Sequence, residues 1–365
     1  MKNPFIVTGV VDDPAFCNRV KERAELRTHI ENSQNVLLYS HRRYGKTSLI
    51  LKVFRELRGV TPIYVDLYGT TSIEGFIKAF LKGTSAIEPK TEKFMKIVRE
   101  SLSGISLALG FDPISSTPTF NLSFDRKAAS LDIGVIFQLA QKLAKKKKIV
   151  IAFDEFQEIA NYGGEPFEKE LRKVIQHHDN ISYLFSGSQR HIVMAMFHDA
   201  KRAFYQMAIN MHLDRINTED FLIWIQGLCQ QADKIIDEMV IRDVVARCEQ
   251  HPKYVQEFFY MLWPLKKVGT DEVNRTESEI LEERSIEFMN AWDSFSLNQK
   301  RALKLVAATE GEQLFSAENL VRFQFKTASQ VTAAIKYLEE RDFLAKNGVY
   351  KIQDPIFRRW VQRMV

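Results

Sequence analysis

The stretch Ser40-His41-Arg42-Arg43-Tyr44-Gly45-Lys46-Thr47, directly after the apolar run Val36-Leu37-Leu38-Tyr39, decides how the chain is read. Its spacing is that of a phosphate-binding loop, G-x-x-x-x-G-K-[S/T], with Ser40 where the first glycine belongs. In such a loop backbone N–H groups wrap phosphate oxygens, which makes Ser40, His41, Arg42, Arg43, Tyr44, Gly45, Lys46, Thr47 and Ser48 candidate nucleotide contacts. Lys46 is placed to reach the β- and γ-phosphates as a point charge, and the Thr47 hydroxyl to ligate Mg²⁺. The helix expected from Lys46 onward aims its positive end at the same anion. A serine at position 40 costs some conformational freedom but supplies no steric block. The plainer alternative is a basic helix start with a chance Gly-Lys-Thr; the apolar strand before it and amphipathic helix after it favour the nucleotide.

A second stretch completes the chemistry. Ile149-Val150-Ile151-Ala152-Phe153 reads as a buried parallel strand, and Asp154-Glu155 falls at its C-terminal end, where open α/β sheets place ligands. Asp154, aligned with the apolar run, is the candidate support for Mg²⁺, while Glu155 would orient or deprotonate a water facing the γ-phosphate. An acidic strand end feeding a turn would explain this stretch if it stood alone. Together with the loop, the catalytic reading is the better one.

Around these two stretches the expected elements alternate. A helix is predicted over about 19–31, a strand over 61–68, helices near 72–88 and 91–103, and a helix near 130–146. Asp66 either sits near the site or ends its strand in a turn, and the turn is favoured. Residues 104–124, with Gly110, Pro113 and Pro118, read as the least structured region. The run Lys145-Lys146-Lys147-Lys148 reads as a solvated helix end rather than a nucleic-acid patch. Beyond the strand 181–188, a helix capped by Thr218 and helices near 240–249 and 252–265 suggest a small all-α lid. A helix near 276–292 leads to three more helical segments and a hairpin centred on Asn347-Gly348, together a winged helix-turn-helix.

Asp154-Glu155-Phe156-Gln157-Glu158 resembles the STAND branch of P-loop ATPases, archaeal and bacterial proteins related to AAA+ enzymes. Phe16-Cys17-Asn18-Arg19, followed by Glu22 or Glu25, resembles their adenine-side entry motif with Asn18 for glycine, which implies an adenine-side role for Arg19. Gln250-His251-Pro252 resembles their Gly-x-Pro lid motif, whose proline packs on adenine, implying that role for Pro252; otherwise Pro252 is a helix-start proline. Ser188, Gln189 and Arg190 match the sensor strand end, which implies Arg190 as the catalytic charge, and Arg202 falls where relatives lead out of the core. Asp354-Pro355-Ile356-Phe357 extends the likeness to the C-terminus.

At 365 residues, 45% apolar and 27% charged, the chain has the composition of an ordinary globular protein of two or three domains. Its net charge of +5 is compatible with phosphate or nucleic-acid contact without proving it. The three cysteines lack metal-ligand spacing, and reduced thiols in the cytoplasm are the simplest account. The absence of a signal-like apolar start, and of any run near the roughly 18 apolar residues of a membrane span, agrees with a cytoplasmic protein without membrane partners.

The expected fold is α/β: a P-loop NTPase core with a mostly parallel sheet over 1–215, a helical lid over 216–292 and a winged helix over 293–365. The expected function is an ATP-binding, slowly hydrolysing switch that uses ATP/ADP and Mg²⁺ and acts on a protein partner. Two alternatives stay open: an ATP-gated DNA-binding protein using the winged helix, and an ADP-holding scaffold without turnover. Oligomer formation is also left open. Lys326, Ser329, Gln330, Thr332 and Lys336 would face DNA, but Glu339 and Glu340 on the same helix make a sparse basic footprint.

Overall fold

Four of the apolar runs become neighbouring strands because each is too short for a helix and rich in β-branched or aromatic side chains. The computed structural model describes residues 2–85, 105–111, 118–124, 133–144, 148–162 and 164–365. Its elements are α1 (Val20–Glu31), β1 (Val36–Tyr39), α2 (Lys46–Glu56), β2 (Val60–Asp66), α3 (Ile73–Ser85), β3 (Ile105–Phe111), β4 (Pro118–Phe124) and α4 (Ile133–Ala144). Next come β5 (Lys148–Asp154), a 3₁₀ turn (Phe156–Asn161), α5 (Gly164–Ile175), β6 (Ile181–Gly187), α6 (Arg190–His198) and β7 (Ile209–His212).

Strands β1, β2, β5, β6 and β7 form one parallel sheet in the order β2-β5-β6-β1-β7. β6 is buried along its whole length and β5 along all but its first residue, as expected of parallel strands covered on both faces. The short edge strand β7, mostly exposed, was not anticipated because its four residues carry no apolar run. Phe76, Phe80, Phe137, Phe153, Phe156, Phe185 and Tyr183 belong to the core on this sheet. Their rings pack mainly in tilted and stacked pairs, such as Phe156 with Phe185 at 4.6 Å between centroids.

Two expectations change here. Part of the region read as unstructured is a β-hairpin, in which β3 pairs antiparallel with β4 from Ile105↔Phe124 to Phe111↔Pro118. Alternating apolar residues at 105, 107, 109 and 120, 122, 124 carry the period of two, but the glycines and prolines masked it. The helix expected near 91–103 and residues Lys145–Lys147 lie outside the described residues, whereas Lys148 opens β5 rather than ending a helix.

The chain divides into two compact units. The sheet unit comprises Arg19–Arg42 and Lys46–Leu213; the other holds Asp214–Val365, the N-terminal segment up to Asn18, and the loop tip Arg43–Gly45. In the second unit α7 (Thr218–Gln231), α8 (Glu238–Arg247), α9 (Pro252–Leu262), α10 (Thr270–Glu283) and α11 (Ser285–Asp293) precede the terminal module. That module is α12 (Leu297–Thr309), α13 (Ala317–Arg322), α14 (Ala328–Glu340), the ribbon β8 (Leu344–Asn347) and β9 (Val349–Ile352), and α15 (Pro355–Gln362). The ribbon reverses at Gly348 (φ +72°), a left-handed position that the Asn-Gly pair announces.

One apolar cluster runs from Phe5 through the helices of this unit to Val361. Phe5 is 2% exposed and contacts the rings of Trp224, Phe259 and Trp263 at 5.3 to 5.5 Å. The segment is pinned further where Ile6 N–H donates to Gln256 Oε1, Gln256 Nε2 to Ala15 O, and Trp224 Nε1 to Pro14 O. Asn217, not Thr218, caps α7 by accepting from Asp220 N–H. The helix expected over 276–292 is two helices meeting at Arg284, whose guanidinium is buried against Glu257.

Candidate nucleotide-binding site

The loop between β1 and α2 begins at the carboxyl end of β1, which lies between β6 and β7 in the sheet. Ser40 is fully buried and outside the left-handed region, so its backbone does not require glycine. Its Oγ donates to His41 O at 2.9 Å and lies 3.2 Å from Lys46 Nζ. Lys46 Nζ also donates to Ser40 O and His41 O at 3.4 and 3.2 Å, and the residue is 6% exposed. The ammonium is thus folded back along its own loop. Gly45 (φ +87°) is the position that does need glycine's freedom.

At the end of β5, Asp154 is 3% exposed. Its Oδ2 accepts from Thr47 Oγ1 at 2.6 Å and from Tyr64 OH at 2.7 Å, and its Oδ1 accepts from Glu155 N–H at 3.1 Å. Thr47 and Asp154, two residues assigned to Mg²⁺ from the sequence, are therefore brought into contact. Tyr64 was not singled out, although a polar-tipped side chain within the apolar run of β2, two residues before Asp66, was the available signal. Burial, then the negative charge of Asp154, raises the Tyr64 hydroxyl well above its ordinary value, so it stays a donor. Asp66 ends β2 and accepts from Tyr68 N–H at 2.9 Å, the strand-end turn role favoured above.

Glu155 adopts a left-handed conformation (φ 54°, ψ 44°) that turns its side chain off the strand line of Asp154. Its Oε2 accepts from Ser188 Oγ at 2.7 Å, Ser188 N–H at 3.2 Å and Gln157 Nε2. The end of β6 thus grips the candidate base directly. Gly187 makes room for this, since a Cβ there would lie 2.4 Å from Gln157 Oε1 and from Val193 Cγ2. Arg190 begins α6 with its guanidinium 5.7 Å from the Tyr39 ring centroid, beside the residue that enters the loop.

Arg19 precedes α1 in the left-handed region, buried and bonded to Glu22 at 2.7 Å. Pro252 is the first residue of α9 and belongs to the other unit. Arg202 is ion-paired with the buried carboxylate of Glu168. His251 is 4% exposed with no capping bond, and burial first, then the charges of Arg215 and Arg43, pushes its pKa down to about 3.

Comparison with known proteins bears on the fold. Residues 286–363 match the model of a family described as "Probable winged helix domain". A Walker-type ATPase of Pyrococcus abyssi superposes with a TM-score of 0.71 at 17% identity, over 98% of this chain and 99% of that one. The ORC2 protein of Aeropyrum pernix, solved as ADPNP and ADP complexes, superposes with a TM-score of 0.57 at 12% identity, over 97% of each chain. No curated protein matches in sequence. The fold is α/β: a parallel five-stranded sheet with helices, superposable on that of the Walker-type ATPase, followed by a helical segment and a C-terminal winged helix. None of the described helices is long and apolar enough to cross a membrane.

Proposed function

We propose that this protein is a Mg²⁺-dependent ATPase of the STAND, AAA+-related type, a low-turnover switch whose nucleotide state sets its lid and winged-helix contacts with a protein partner. The observation that carries the reading is the contact of Thr47 with Asp154 in a site that also holds Lys46 and Glu155. Among the described residues no group of three or more His, Cys, Asp or Glu could hold a metal alone. That fits Mg²⁺, which takes one or two protein oxygens and completes its shell with water and substrate phosphates. Thr47 and Asp154 would hold the ion, which when bound neutralises charge on the β- and γ-phosphates.

Lys46 would leave its loop carbonyls for the phosphates. Glu155 would orient a water for in-line attack and accept its proton, and Arg190 would stabilise charge on the transferred group. The fold and the nucleotide complexes of the Aeropyrum pernix protein support this reading by analogy. A DNA-gated role is less favoured, because α14 exposes Glu339 and Glu340 beside Lys336.

The test is calorimetric titration with ATP and Mg²⁺. Wild type is expected to bind, and Lys46→Ala to lose affinity by at least about tenfold, as removal of a charge-assisted phosphate contact predicts. Equal affinities, or no binding by wild type, would remove the reading. A second variant addresses the metal. Tyr64→Phe deletes one of the two hydroxyls on Asp154 Oδ2 and should raise the Mg²⁺ concentration for half-maximal binding about tenfold. Metal-free nucleotide affinity is expected to hold, and direct Mn²⁺ binding followed by electron paramagnetic resonance should weaken in parallel. An unchanged metal dependence would limit Tyr64 to satisfying a buried carboxylate.

A further inference from the structure

Both long side chains at the tip of the phosphate loop end in contacts that lead to the winged-helix segment. Arg43 Nη2 lies 3.5 Å from Glu287 Oε1, a solvent-exposed pair that contributes little by itself. Tyr44 is 4% exposed, edge-on to the His251 ring at 4.8 Å, and its hydroxyl accepts from Arg215 Nε at 3.3 Å. Arg215 Nη1 in turn donates to Glu249 O at 2.9 Å and to Glu249 Oε2 at 3.1 Å. The other oxygen of Glu249 is ion-paired with Arg358 on α15, the last helix of the chain. Glu249 and Arg358 are largely buried, so their pairing is screened less than a surface pair would be.

The joint of this chain of contacts is itself constrained. Glu249 and Gln250 are consecutive left-handed residues (φ 48° and 60°) in the turn between α8 and α9. Such backbone is held only where the surroundings over-determine it. Along the polypeptide, Tyr44 is two residues from Lys46. A phosphate held by the N–H groups of the loop would act on the same backbone that carries the Tyr44 ring.

We propose that the loop tip reports phosphate occupancy to the terminal helix through Tyr44, Arg215, Glu249 and Arg358. The inference rests on the nucleotide reading of the loop. A ligand shifts such an equilibrium only through different affinities for its two states; here the states differ in whether Tyr44 stays on Arg215. The relay explains why Glu249 carries two guanidinium partners. Arg358 is a positioning residue, acting on the site only through Glu249.

The experiment is hydrogen–deuterium exchange of residues 355–362 in the full chain, with and without a non-hydrolysable ATP analogue and Mg²⁺, with binding of the analogue measured separately by calorimetry. In wild type, nucleotide is expected to change exchange in this helix at least about fivefold, the lower end of ordinary site-to-site coupling. Arg358→Gln should abolish the change while analogue affinity stays within about twofold, and Arg358→Lys should restore part of it. Glu249→Gln, which keeps an acceptor for Arg215, gives a second break in the relay should Arg358→Gln misfold. Binding without any change in wild type overturns the relay and leaves the nucleotide reading standing, as does an unaltered response in both broken variants. No binding in wild type overturns both together.

Discussion

Replacing Glu155 by glutamine should leave ATP bound and lower phosphate release by about 10²- to 10³-fold, the range for loss of a positioned general base. That corresponds to about 3–4 kcal/mol at the barrier. The amide is isosteric and its oxygen still accepts from Ser188, whose hydroxyl and N–H both point at Glu155 Oε2. What it loses is the ability to take a proton from water. The left-handed backbone at position 155 and the neighbouring strand end should survive the change, so the loss falls on chemistry. Single-turnover phosphate release, read beside calorimetric ATP affinity, separates the two. Equal release by the variant would remove Glu155 from the mechanism. Wild type that binds ATP but releases no phosphate would point instead to a nucleotide-holding scaffold.

Gly311→Ala should destabilise the second unit by roughly 3–5 kcal/mol, combining a left-handed penalty with an overpacking cost. Gly311 follows α12 at φ +85°, and a Cβ there would sit 2.0 Å from Tyr350 O and 2.9 Å from Tyr350 C and N. These are main-chain atoms of β9, which cannot swing aside as a side chain can. Tyr350→Ala is therefore not expected to rescue the variant. Gly348, also left-handed (φ +72°) but with open space around its Cβ position, supplies the control. Gly348→Ala should cost only about 1–2 kcal/mol of conformational strain. Urea unfolding followed through the fluorescence of Trp292 and Trp360, which pack edge to face at 5.8 Å, reports both. A loss below about 1 kcal/mol for Gly311→Ala would contradict the close approach to β9.

Several residues of the site were legible because their signals are local. Lys46 and Thr47 are adjacent, Asp154 and Glu155 are adjacent, and each pair sits next to an apolar run of strand length. Tyr64 was hidden because its meaning depends on β2 pairing with β5 over Val60↔Lys148 to Asp66↔Asp154, a register that joins residues some ninety apart in sequence. The grip of Ser188 on Glu155 was half visible: the polar strand end could be named, but its partner could not. The hairpin of β3 and β4 was missed for a different reason, since turn residues outweighed a genuine period-two pattern.

The sequence by itself determined the elements whose physics is local: the glycine-lysine-threonine loop, the buried strand ending in two acids, the Asn-Gly ribbon and the apolar faces of the helices that follow the sheet. Each is a pattern of few residues in which backbone conformation and burial repeat with a fixed period. Only the tertiary structure decided where distant segments meet. It placed Phe5 against Trp224, Phe259 and Trp263, set Arg43–Gly45 in the same unit as the winged helix, and let Glu249 join Arg215 to Arg358. Such meetings follow from how all the apolar faces pack at once, and periodicity along one segment carries no information about its partner.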